Sequence, residues 1–351
     1  MSSKFIKKAA LAAGIFAASI GIASAADQQL TGAGSTAIYP VLAAWADTYH
    51  KDTGIALNYQ AIGSGGGIQQ IDNKTVNFGA TDKPLQNEDL QKNSLIQFPA
   101  IFIGITPVVH LEGVKPGEMV LDGKTLADIY LGKVIKWNDP EIAALNKTVN
   151  LPDLFITVVH RSDGSGTTFT FSNYLSKVSD EWKTKVGFDT AISWPTGVGG
   201  KGNAGVAGFV NQINGAIGYV EYAYAVQNTM NYTRMVNADG KTVAPDLKAF
   251  AAASAHASWS ADNNFFLIIT NQPGDESWPI AGATWVLMRK DVDKAQNQAV
   301  IKYFTWCLSK GQSQAEKLVY VPLPASVVTL IEKYWKDQLG ISASSSHQNF
   351  H

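Results

Sequence analysis

The chain has 351 residues, a formal net charge of −1 and 16% charged residues, and it contains one cysteine. This balance provides no basic surface field for nucleic acid or anionic lipid, and a lone cysteine excludes an intramolecular disulfide. The length favours two lobes over one, because single hydrophobic cores stop growing near about 250–300 residues.

The first 25 residues have the pattern of a secretory signal peptide. Lys4, Lys7 and Lys8 form a positive region, the stretch 9–22 is apolar and uncharged, and Ala23-Ser24-Ala25 fits the small-residue cleavage rule. The apolar stretch is shorter than the roughly 17–25 residues of a membrane span. We therefore expect export and cleavage near Ala25, which removes three lysines and takes the net charge to −4.

The segment "GAGSTAIYPVLAAWADTYHKDTG" reads as a glycine-rich turn that leads into a helix. Ser35 and Thr36 are good N-cap residues, and Gly54 is a good helix stop. Between them the apolar side chains recur with a helical period: Val41, Leu42, Trp45 and Tyr49. The pattern predicts a helix that starts beside the two hydroxyls.

Two further segments follow a similar plan. In "LNYQAIGSGGGIQQI" the stretch 57–62 reads as a strand, Ser64 stands at an N-cap position, and three glycines open a short helix. In "VNFGATDKPL" a strand over 76–79 precedes Thr81 and Asp82, and Pro84 closes the turn. The apolar runs Phe265–Thr270 and Trp285–Met288 also predict buried strands.

The segment "HRSDGSGTTF" is the richest in hydrogen-bond donors. It follows an apolar run, 154–160, that predicts a strand, and a helical face of Phe171, Tyr174, Leu175 and Val178 follows it. Arg161 offers a planar fork of donors, and the hydroxyls and glycine N–H groups around it suit an oxyanion. Its hydroxyl and glycine members are Ser165, Thr167, Thr168, Gly164 and Gly166.

Strands that alternate with helices predict an α/β fold, in which ligands bind beyond the carboxyl ends of the strands. Helix N-termini there attract anions without a metal. Asp82 and Asp163 are then informative, because an ionised carboxylate can only accept. A carboxylate that faces the ligand accepts a proton from phosphate and repels sulfate, while the other can orient Arg161. Spacing alone leaves open which aspartate does which, and either could simply be a turn residue.

Enzymatic and metal-binding alternatives find less support. "GVGGKGN" lacks the hydroxyl of a phosphate-binding nucleotide loop, and Ser165 lacks the glycine-flanked elbow of a hydrolase nucleophile. The six histidines show no metal-ligand spacing, and His160 reads as a strand histidine. Cys307, in "FTWCLSK", reads as a buried inert thiol. The tail "SASSSHQNFH" reads as disordered by default.

Several segments together resemble the periplasmic phosphate-binding proteins of bacterial high-affinity phosphate ABC transporters. They are "TGAGST", "WADTY", "NYQAIGSGGG", "VNFGATDKPL", "QFP", "LDGKTLADIYLGKVIKWND", "RSDGSGT", "GGKGN" and "GAIGYVEYAYA". The resemblance covers nearly the whole mature chain. It implies a type II periplasmic binding fold, in which two α/β lobes, each a mixed sheet flanked by helices, are joined by two hinge strands.

The resemblance also implies a set of ligand contacts. By that resemblance Asp82 accepts the phosphate proton and Asp163 holds Arg161 in place. Ala37 stands where relatives carry an aromatic residue and is expected to contribute its backbone N–H, and His160 replaces a basic residue. The implied phosphate-binding residues are Thr36, Ala37, Ser64, Asp82, Arg161, Ser165, Gly166 and Thr167.

The resemblance further implies a division of the chain and a role. Residues 1–25 are expected to be the signal peptide, 26–102 and 281–351 lobe I, and 103–280 lobe II. The implied protein is a periplasmic monomer that binds inorganic phosphate and delivers it to inner-membrane permease subunits. No catalysis, cofactor, metal or nucleic acid is implied. The alternative function is binding of another tetrahedral oxyanion, such as sulfate or molybdate.

Overall fold

The computed structural model describes residues 29–343 as an α/β fold. The predicted signal peptide, residues 1–25, and the tail from residue 344 onward lie outside the described residues. Within 29–343, no helix has both the length and the apolar character required to cross a bilayer.

The strands in chain order are β1 (Gln29–Gly34), β2 (Ala56–Ala61), β3 (Phe78–Thr81), β4 (Leu95–Val109), β5 (Val120–Leu121), β6 (Thr157–Arg161), β7 (Val198–Gly200), β8 (Ala216–Glu221), β9 (Asn231–Tyr232), β10 (Arg234–Val236), β11 (Thr242–Val243) and β12 (Ala281–Arg289). The helices are α1 (Tyr39–Thr53), α2 (Ser64–Asp72), α3 (Asn87–Lys92), α4 (Gly123–Tyr130), α5 (Pro140–Leu145), α6 (Gly166–Val178), α7 (Asp180–Lys185), α8 (Gly202–Gln212), α9 (Tyr222–Gln227), α10 (Leu247–Ser254), α11 (Lys294–Cys307), α12 (Gln312–Lys317) and α13 (Ala325–Leu339).

A large mixed sheet organises the fold. Its strand order is β2-β1-β3-β12-β4-β8-β6-β7, and β9 also pairs with β4. β1, β2 and β3 are parallel to one another, and β6, β7 and β8 are parallel to one another. β12 is antiparallel to β3 and β4, and β8 is antiparallel to β4. A small sheet, β11-β10-β5, lies apart from it.

The long strand β4 belongs to two halves of this sheet. Its residues up to Gly104 pair with β12, whereas those from Ile105 onward pair with β8. We call the half that contains β1, β2, β3 and β12 lobe I, and the half that contains β6, β7 and β8 lobe II. At the change of partner, the N–H of Ile105 donates to the carbonyl of Ile280 at 2.9 Å, immediately before β12 begins.

Bulky aromatic side chains pack against this crossing point. The ring of Phe250 lies so close to Gly104 that a side-chain Cβ there would collide with it. The indole Nε1 of Trp278 donates to the carbonyl of Ile105 at 2.9 Å, and Trp278 is fully buried. The crossing point between the lobes is therefore part of the hydrophobic core.

Most predicted elements are confirmed, with shifted boundaries. α1 ends at the predicted Gly54, whose φ of 76° is left-handed and suits glycine. The predicted strand 57–62 is β2, the predicted strand at 285–288 lies inside β12, and the helix after Gly166 is α6. The strand predicted over 76–79 is β3, displaced by two residues, and β6 starts later than predicted but includes Arg161.

The strand predicted over Phe265–Thr270 is wrong. Phe265 has a left-handed φ of 56°, and its N–H donates to the carbonyl of Ser260 within a turn. Its own carbonyl accepts the indole N–H of Trp285 at 2.9 Å rather than a strand hydrogen bond. The segment is apolar because Phe265 and Ile269 are buried against the core, and an apolar run alone cannot distinguish such a loop from a strand.

Cys307 is buried at the end of α11, as predicted. Burial raises the pKa of its thiol well above the usual value, so the thiol stays protonated. This environment suits a packing role.

Close backbone approach makes Gly67 a sensitive point of lobe I. A Cβ at Gly67 in α2 would lie 2.5 Å from the Cα of Gly34 and 2.7 Å from the carbonyl oxygen of Ala33. We expect Gly67→Ala to lower the free energy of unfolding by about 1–3 kcal/mol, because backbone atoms must move. Gly208 in α8 has no neighbour within 4 Å of a Cβ, so Gly208→Ala should raise it by about 0.5–1 kcal/mol. Denaturant unfolding of the three proteins measures both changes, and equal midpoints for Gly67→Ala and wild type would contradict the close packing.

Candidate functional site

Loops from both lobes meet at one edge of the sheet. Because β1, β2 and β3 are parallel, the loops that follow them leave from the same edge. The loop that follows β6 comes from lobe II and reaches that edge. There the N–H of Gly65 donates to the carbonyl of Gly164 at 2.9 Å. The loops that the sequence singled out are thus brought together.

Asp82 follows β3 and is a buried carboxylate, 2% exposed. Its Oδ1 accepts from the Ser35 hydroxyl at 2.7 Å and from the Thr284 hydroxyl at 2.6 Å. Burial raises the pKa of Asp82 to about 6, although the hydrogen bonds from Thr284 and Ser35 and the charge of Arg161 act in the opposite direction. At neutral pH the carboxylate is therefore ionised but costly to keep buried, and it favours any neighbour that brings a proton.

Arg161 forms a bidentate pair with Asp163, two residues further along. Its Nε donates to Oδ1 of Asp163 at 2.7 Å and its Nη2 to Oδ2 at 2.5 Å. Burial by itself would raise the pKa of Asp163, but the hydrogen bonds and charge of Arg161 outweigh it and lower that pKa. The N–H of Gly202 also donates to Oδ1 of Asp163, at 3.0 Å. The pair fixes the guanidinium, whose side chain is 1% exposed, and leaves its other edge available.

Two serine hydroxyls each accept a backbone N–H. Ser64 Oγ accepts from the N–H of Asp82 at 3.0 Å, and Ser165 Oγ accepts from the N–H of Thr168 at 2.9 Å. A hydroxyl has one hydrogen and two lone pairs. Since these oxygens already accept from the protein, each hydroxyl can still donate its hydrogen to a further acceptor.

The N-caps predicted at Ser35 or Thr36 and at Ser64 are wrong, and the serine that does cap a helix of the site was not predicted to do so. Ser165 is the N-cap of α6. The N-cap of α2 is Gly63, which has no side chain to form a cap bond, and the Ser64 hydroxyl accepts the N–H of Asp82 instead. α1 begins at Tyr39 with Pro40 in its first turn, so Ser35 and Thr36 lie before its N-cap and serve other partners.

Asn203 joins two predicted threonines and was not singled out from the sequence. Its Nδ2 donates to Thr36 Oγ1 at 2.7 Å and to Thr167 Oγ1 at 3.1 Å. Its Oδ1 accepts the N–H of Glu221 at 2.8 Å. Asn203 is fully buried at the start of α8. The side chain therefore links a residue of lobe I to one of lobe II.

Three tyrosines hold the backbone of the first loop. Their hydroxyls donate to three successive carbonyl oxygens, those of Ser35, Thr36 and Ala37, at 2.7, 2.6 and 2.6 Å. The donors, in the same order, are Tyr59, Tyr224 and Tyr320. These bonds set the orientation of the peptide groups in the loop. The N–H of Ala37 donates to Ser35 Oγ at 3.0 Å, so it would reach an anion only by sharing its hydrogen.

Gly166 starts α6 and lies directly against lobe I. A Cβ at this position would collide with the hydroxyl oxygen of Ser64 and lie 2.5 Å from a carboxylate oxygen of Asp82. No larger residue fits between the lobes here. The N–H groups of Gly166 and Thr167 belong to the first helical turn, where the helix itself supplies no acceptor.

His160 stands beside the site and is half-buried. Its ring stacks on Trp194, with the ring centroids 4.6 Å apart and the planes inclined by 9°. Nδ1 lies 2.9 Å from the carbonyl oxygen of Arg161. Burial lowers its pKa, so the imidazole is neutral at neutral pH. His160 supports the end of β6 without adding a charge.

The structure brings all nine predicted site residues into one cluster. Sequence reasoning missed Ser35 and Thr284, which hold Asp82, and Asn203, which holds two threonines. No sequence pattern indicated a role for Thr284, which lies inside β12. Asn203 could be noticed only as part of the glycine-rich "GGKGN" segment.

The cluster is suited to an oxyanion rather than a cation. It offers a buried guanidinium, several directed hydroxyls and the N–H groups of a helix start, against one carboxylate that accepts. Over residues 29–343, no group of three or more His, Cys, Asp or Glu side chains could hold a metal ion. The fold and the site define the class, a two-lobed binding protein whose cleft suits a small oxyanion.

Comparison with known proteins agrees with this class. The chain matches the PBP superfamily domain over residues 22–310. It is 52% identical over 311 residues to the phosphate-binding protein PstS of Xylella fastidiosa strain Temecula1, with 88% of this chain and 85% of that protein covered. It is 51% identical over 311 residues to the phosphate-binding protein PstS of Haemophilus influenzae, with 88% and 93% covered. The chain belongs to the PBP superfamily and, within it, to the phosphate ABC transporter substrate-binding proteins.

Solved structures share the fold. The periplasmic phosphate-binding protein PfluDING, solved with bound phosphate, superposes with a TM-score of 0.68 at 18% identity and covers 87% of this chain and 93% of its own. The phosphate binding protein of Stenotrophomonas maltophilia superposes with a TM-score of 0.63 at 17% identity, with 87% and 94% covered. The expected type II fold of mixed sheets and flanking helices is thereby confirmed.

The raised pKa of Asp82 predicts a specific pH dependence of stability. The folded state binds the proton of Asp82 more tightly than the unfolded state, so this residue lowers stability as pH rises from about 4 to about 6. Asp82→Asn should remove that loss and raise the free energy of unfolding of the phosphate-free protein by about 3 kcal/mol at pH 8. At pH 4 the two proteins should differ little. Denaturant unfolding across this pH range measures the difference, and a constant offset at all pH values would mean that Asp82 titrates normally.

Proposed function

We propose that the protein binds inorganic phosphate between its two lobes and delivers it to an ABC transporter permease for import. The single observation that carries this is a buried carboxyl group, that of Asp82, within a cluster of hydrogen-bond donors. The donors suit any tetrahedral oxyanion. The carboxylate suits only an anion that still carries a proton, and phosphate near neutral pH does while sulfate does not. The close similarity to phosphate-binding proteins supports the same ligand.

Each side chain then has a defined role. Arg161 supplies the positive charge, and Asp163 holds it in the orientation that the ligand needs. Asp82 accepts the proton of the phosphate. Directed hydroxyls and the N–H groups of the first turn of α6 donate to the remaining oxygens. The donor residues are Thr36, Ala37, Ser64, Ser165, Gly166 and Thr167.

Binding closes the cleft because the ligand contacts both lobes. We assign residues 26–102 and 281–351 to lobe I and 103–280 to lobe II. Contacts between them already include the ion pair of Lys83 with Asp189 at 2.7 Å and the bond from Gly65 to Gly164. A bound anion adds shared contacts, so it shifts the equilibrium of open and closed forms toward the closed one. The permease subunits recognise that closed form.

We infer that the protein works after export from the cytoplasm. It acts in the periplasm as a monomer after cleavage near Ala25, and it binds its ligand without converting it. A catalytic function would need an activated nucleophile, whereas the Ser165 hydroxyl accepts the N–H of Thr168 as an N-cap. The site needs no cofactor because the protein itself supplies the positive charge.

Calorimetric titration with phosphate and sulfate tests the function. Protein that is unfolded and refolded to remove endogenous ligand should bind phosphate one to one at pH 8 and give no heat with sulfate. Sulfate affinity should rise about tenfold per pH unit as pH falls toward 6, because protonated Asp82 can donate, and level off below that. Asp82→Asn should bind sulfate with little pH dependence, which excludes a contribution from His160. Equal binding of both anions by the wild type at pH 8 would overturn the assignment.

Arg161 has a matched control within the chain. Arg289 forms the same bidentate pair with an aspartate two residues on, Asp291, at 2.7 and 3.0 Å. Arg161→Met should weaken phosphate binding by about 3–5 kcal/mol, because the anion loses its charged partner in a buried site. Arg289→Met should leave the phosphate affinity unchanged. Ser64→Ala should cost about 1–3 kcal/mol, the range for one buried hydrogen bond.

The same titrations decide this prediction. A loss for Arg161→Met no larger than that for Ser64→Ala would show that the guanidinium does not face the ligand. Thermal unfolding of each variant without phosphate separates a binding defect from a folding defect.

A further inference from the structure

Asn203 makes an unusually complete set of hydrogen bonds. The residue is fully buried, and both amide hydrogens have acceptors: Thr36 Oγ1 at 2.7 Å and Thr167 Oγ1 at 3.1 Å. Its backbone N–H also donates to Thr36 Oγ1, at 3.3 Å. Its Oδ1 accepts the N–H of Glu221 at 2.8 Å.

The bond to Glu221 fixes which end of the amide faces the threonines. Oxygen and nitrogen of an amide are assigned from their hydrogen-bond partners. A backbone N–H can only donate, so the atom that meets Glu221 must be the oxygen. The NH₂ group must therefore point at Thr36 and Thr167, because turning the side chain over would break the bond to Glu221 and set two N–H donors against each other.

The hydrogen bonds to Asn203 leave the two threonine hydroxyls able to donate but not to accept. Thr36 Oγ1 accepts twice from Asn203, and Thr167 Oγ1 accepts from Asn203 and, at 3.4 Å, from Nη1 of Arg161. A hydroxyl has two lone pairs and one hydrogen. With both lone pairs occupied, each hydroxyl can only donate to whatever lies beyond it.

We propose that Asn203 is a positioning residue for ligand recognition: it converts the Thr36 and Thr167 hydroxyls, one from each lobe, into obligate donors. This inference rests on the proposed phosphate function. A ligand oxygen that carries a proton finds no acceptor at these two hydroxyls, so its proton is directed to Asp82. Asn203 thus contributes to the choice of a protonated oxyanion without touching it, and it links the lobes only when they are closed.

A thermodynamic cycle distinguishes this role from a purely structural one. Asn203→Ala is made in the wild type and in the Thr36→Val/Thr167→Val background, where the hydroxyls are gone. The dissociation constant for phosphate is measured by equilibrium dialysis with radiolabelled phosphate at pH 8. In the wild type the substitution should raise it about 10- to 100-fold, since two hydroxyls become free to turn away. In the valine background the same substitution should change it less than about threefold.

Asn146 provides the matched control. It is a buried asparagine of lobe II that also donates twice and accepts once, to the carbonyls of Val120 and Ile142 and from the N–H of Val120. Asn146→Ala should lower thermal stability and leave the phosphate dissociation constant unchanged. Equal penalties for Asn203→Ala in both backgrounds, or none in the wild type, would overturn the proposal. Failure of the wild type itself to bind phosphate would instead overturn the proposed function.

Asn203→Asp covers the case in which the alanine variant does not fold. The aspartate keeps the acceptor for Glu221 but replaces the NH₂ group with an oxygen, which accepts the threonine hydrogens and turns them from the ligand. Its penalty on phosphate binding should be clearly smaller in the valine background, where only charge repulsion is left. The same penalty in both backgrounds would again contradict a role through the hydroxyls.

Discussion

The candidate site depends on keeping one carboxylate, that of Asp82, buried among hydrogen-bond donors and under the influence of Arg161. Burial penalises the ionised form, and the Ser35 and Thr284 hydroxyls only partly offset this. In the function proposed above, the proton of the ligand offsets this penalty. The charge of Arg161, from lobe II, acts to lower the pKa of Asp82, while the guanidinium itself pairs with Asp163.

Hydrogen-bond direction, more than charge, organises the rest of the site. The hydroxyl oxygens of Ser64, Ser165, Thr36 and Thr167 all accept N–H groups of the protein, so each has a hydrogen to give. Among the predicted ligand contacts, Asp82 is therefore the one side chain that can only accept when ionised, whereas the hydroxyls, the guanidinium and the backbone N–H groups can donate. In the proposed function, such a site distinguishes ligands by the proton they carry, although no side chain is chemically unusual.

Local chemistry explains what could be predicted from the sequence. The glycine and hydroxyl clusters follow strands, and turn residues act within a few positions, so the loops of Ser64, Asp82 and Arg161 were recognisable. The ligand set itself came from resemblance to a family. The partners that orient these residues lie far away along the chain, 202 positions for Thr284 and Asp82 and 167 for Asn203 and Thr36. No spacing rule reaches that far. The strand predicted over Phe265–Thr270 is wrong for a related reason, because an apolar run indicates burial but does not indicate hydrogen-bond geometry.

The crossing of β4 from one half of the sheet to the other has a mechanical consequence. Phe250 packs on Gly104, and the indole N–H of Trp278 donates to the carbonyl of Ile105, so the crossing is buried in the hydrophobic core. The site lies close to this crossing, because Thr284, which donates to Asp82, pairs with Ile101 of β4, and Glu221, which donates to Asn203, pairs with Ile105. The closure proposed for the lobes therefore acts directly on the partners of Asp82 and Asn203, because the strand that joins the lobes also positions both of them.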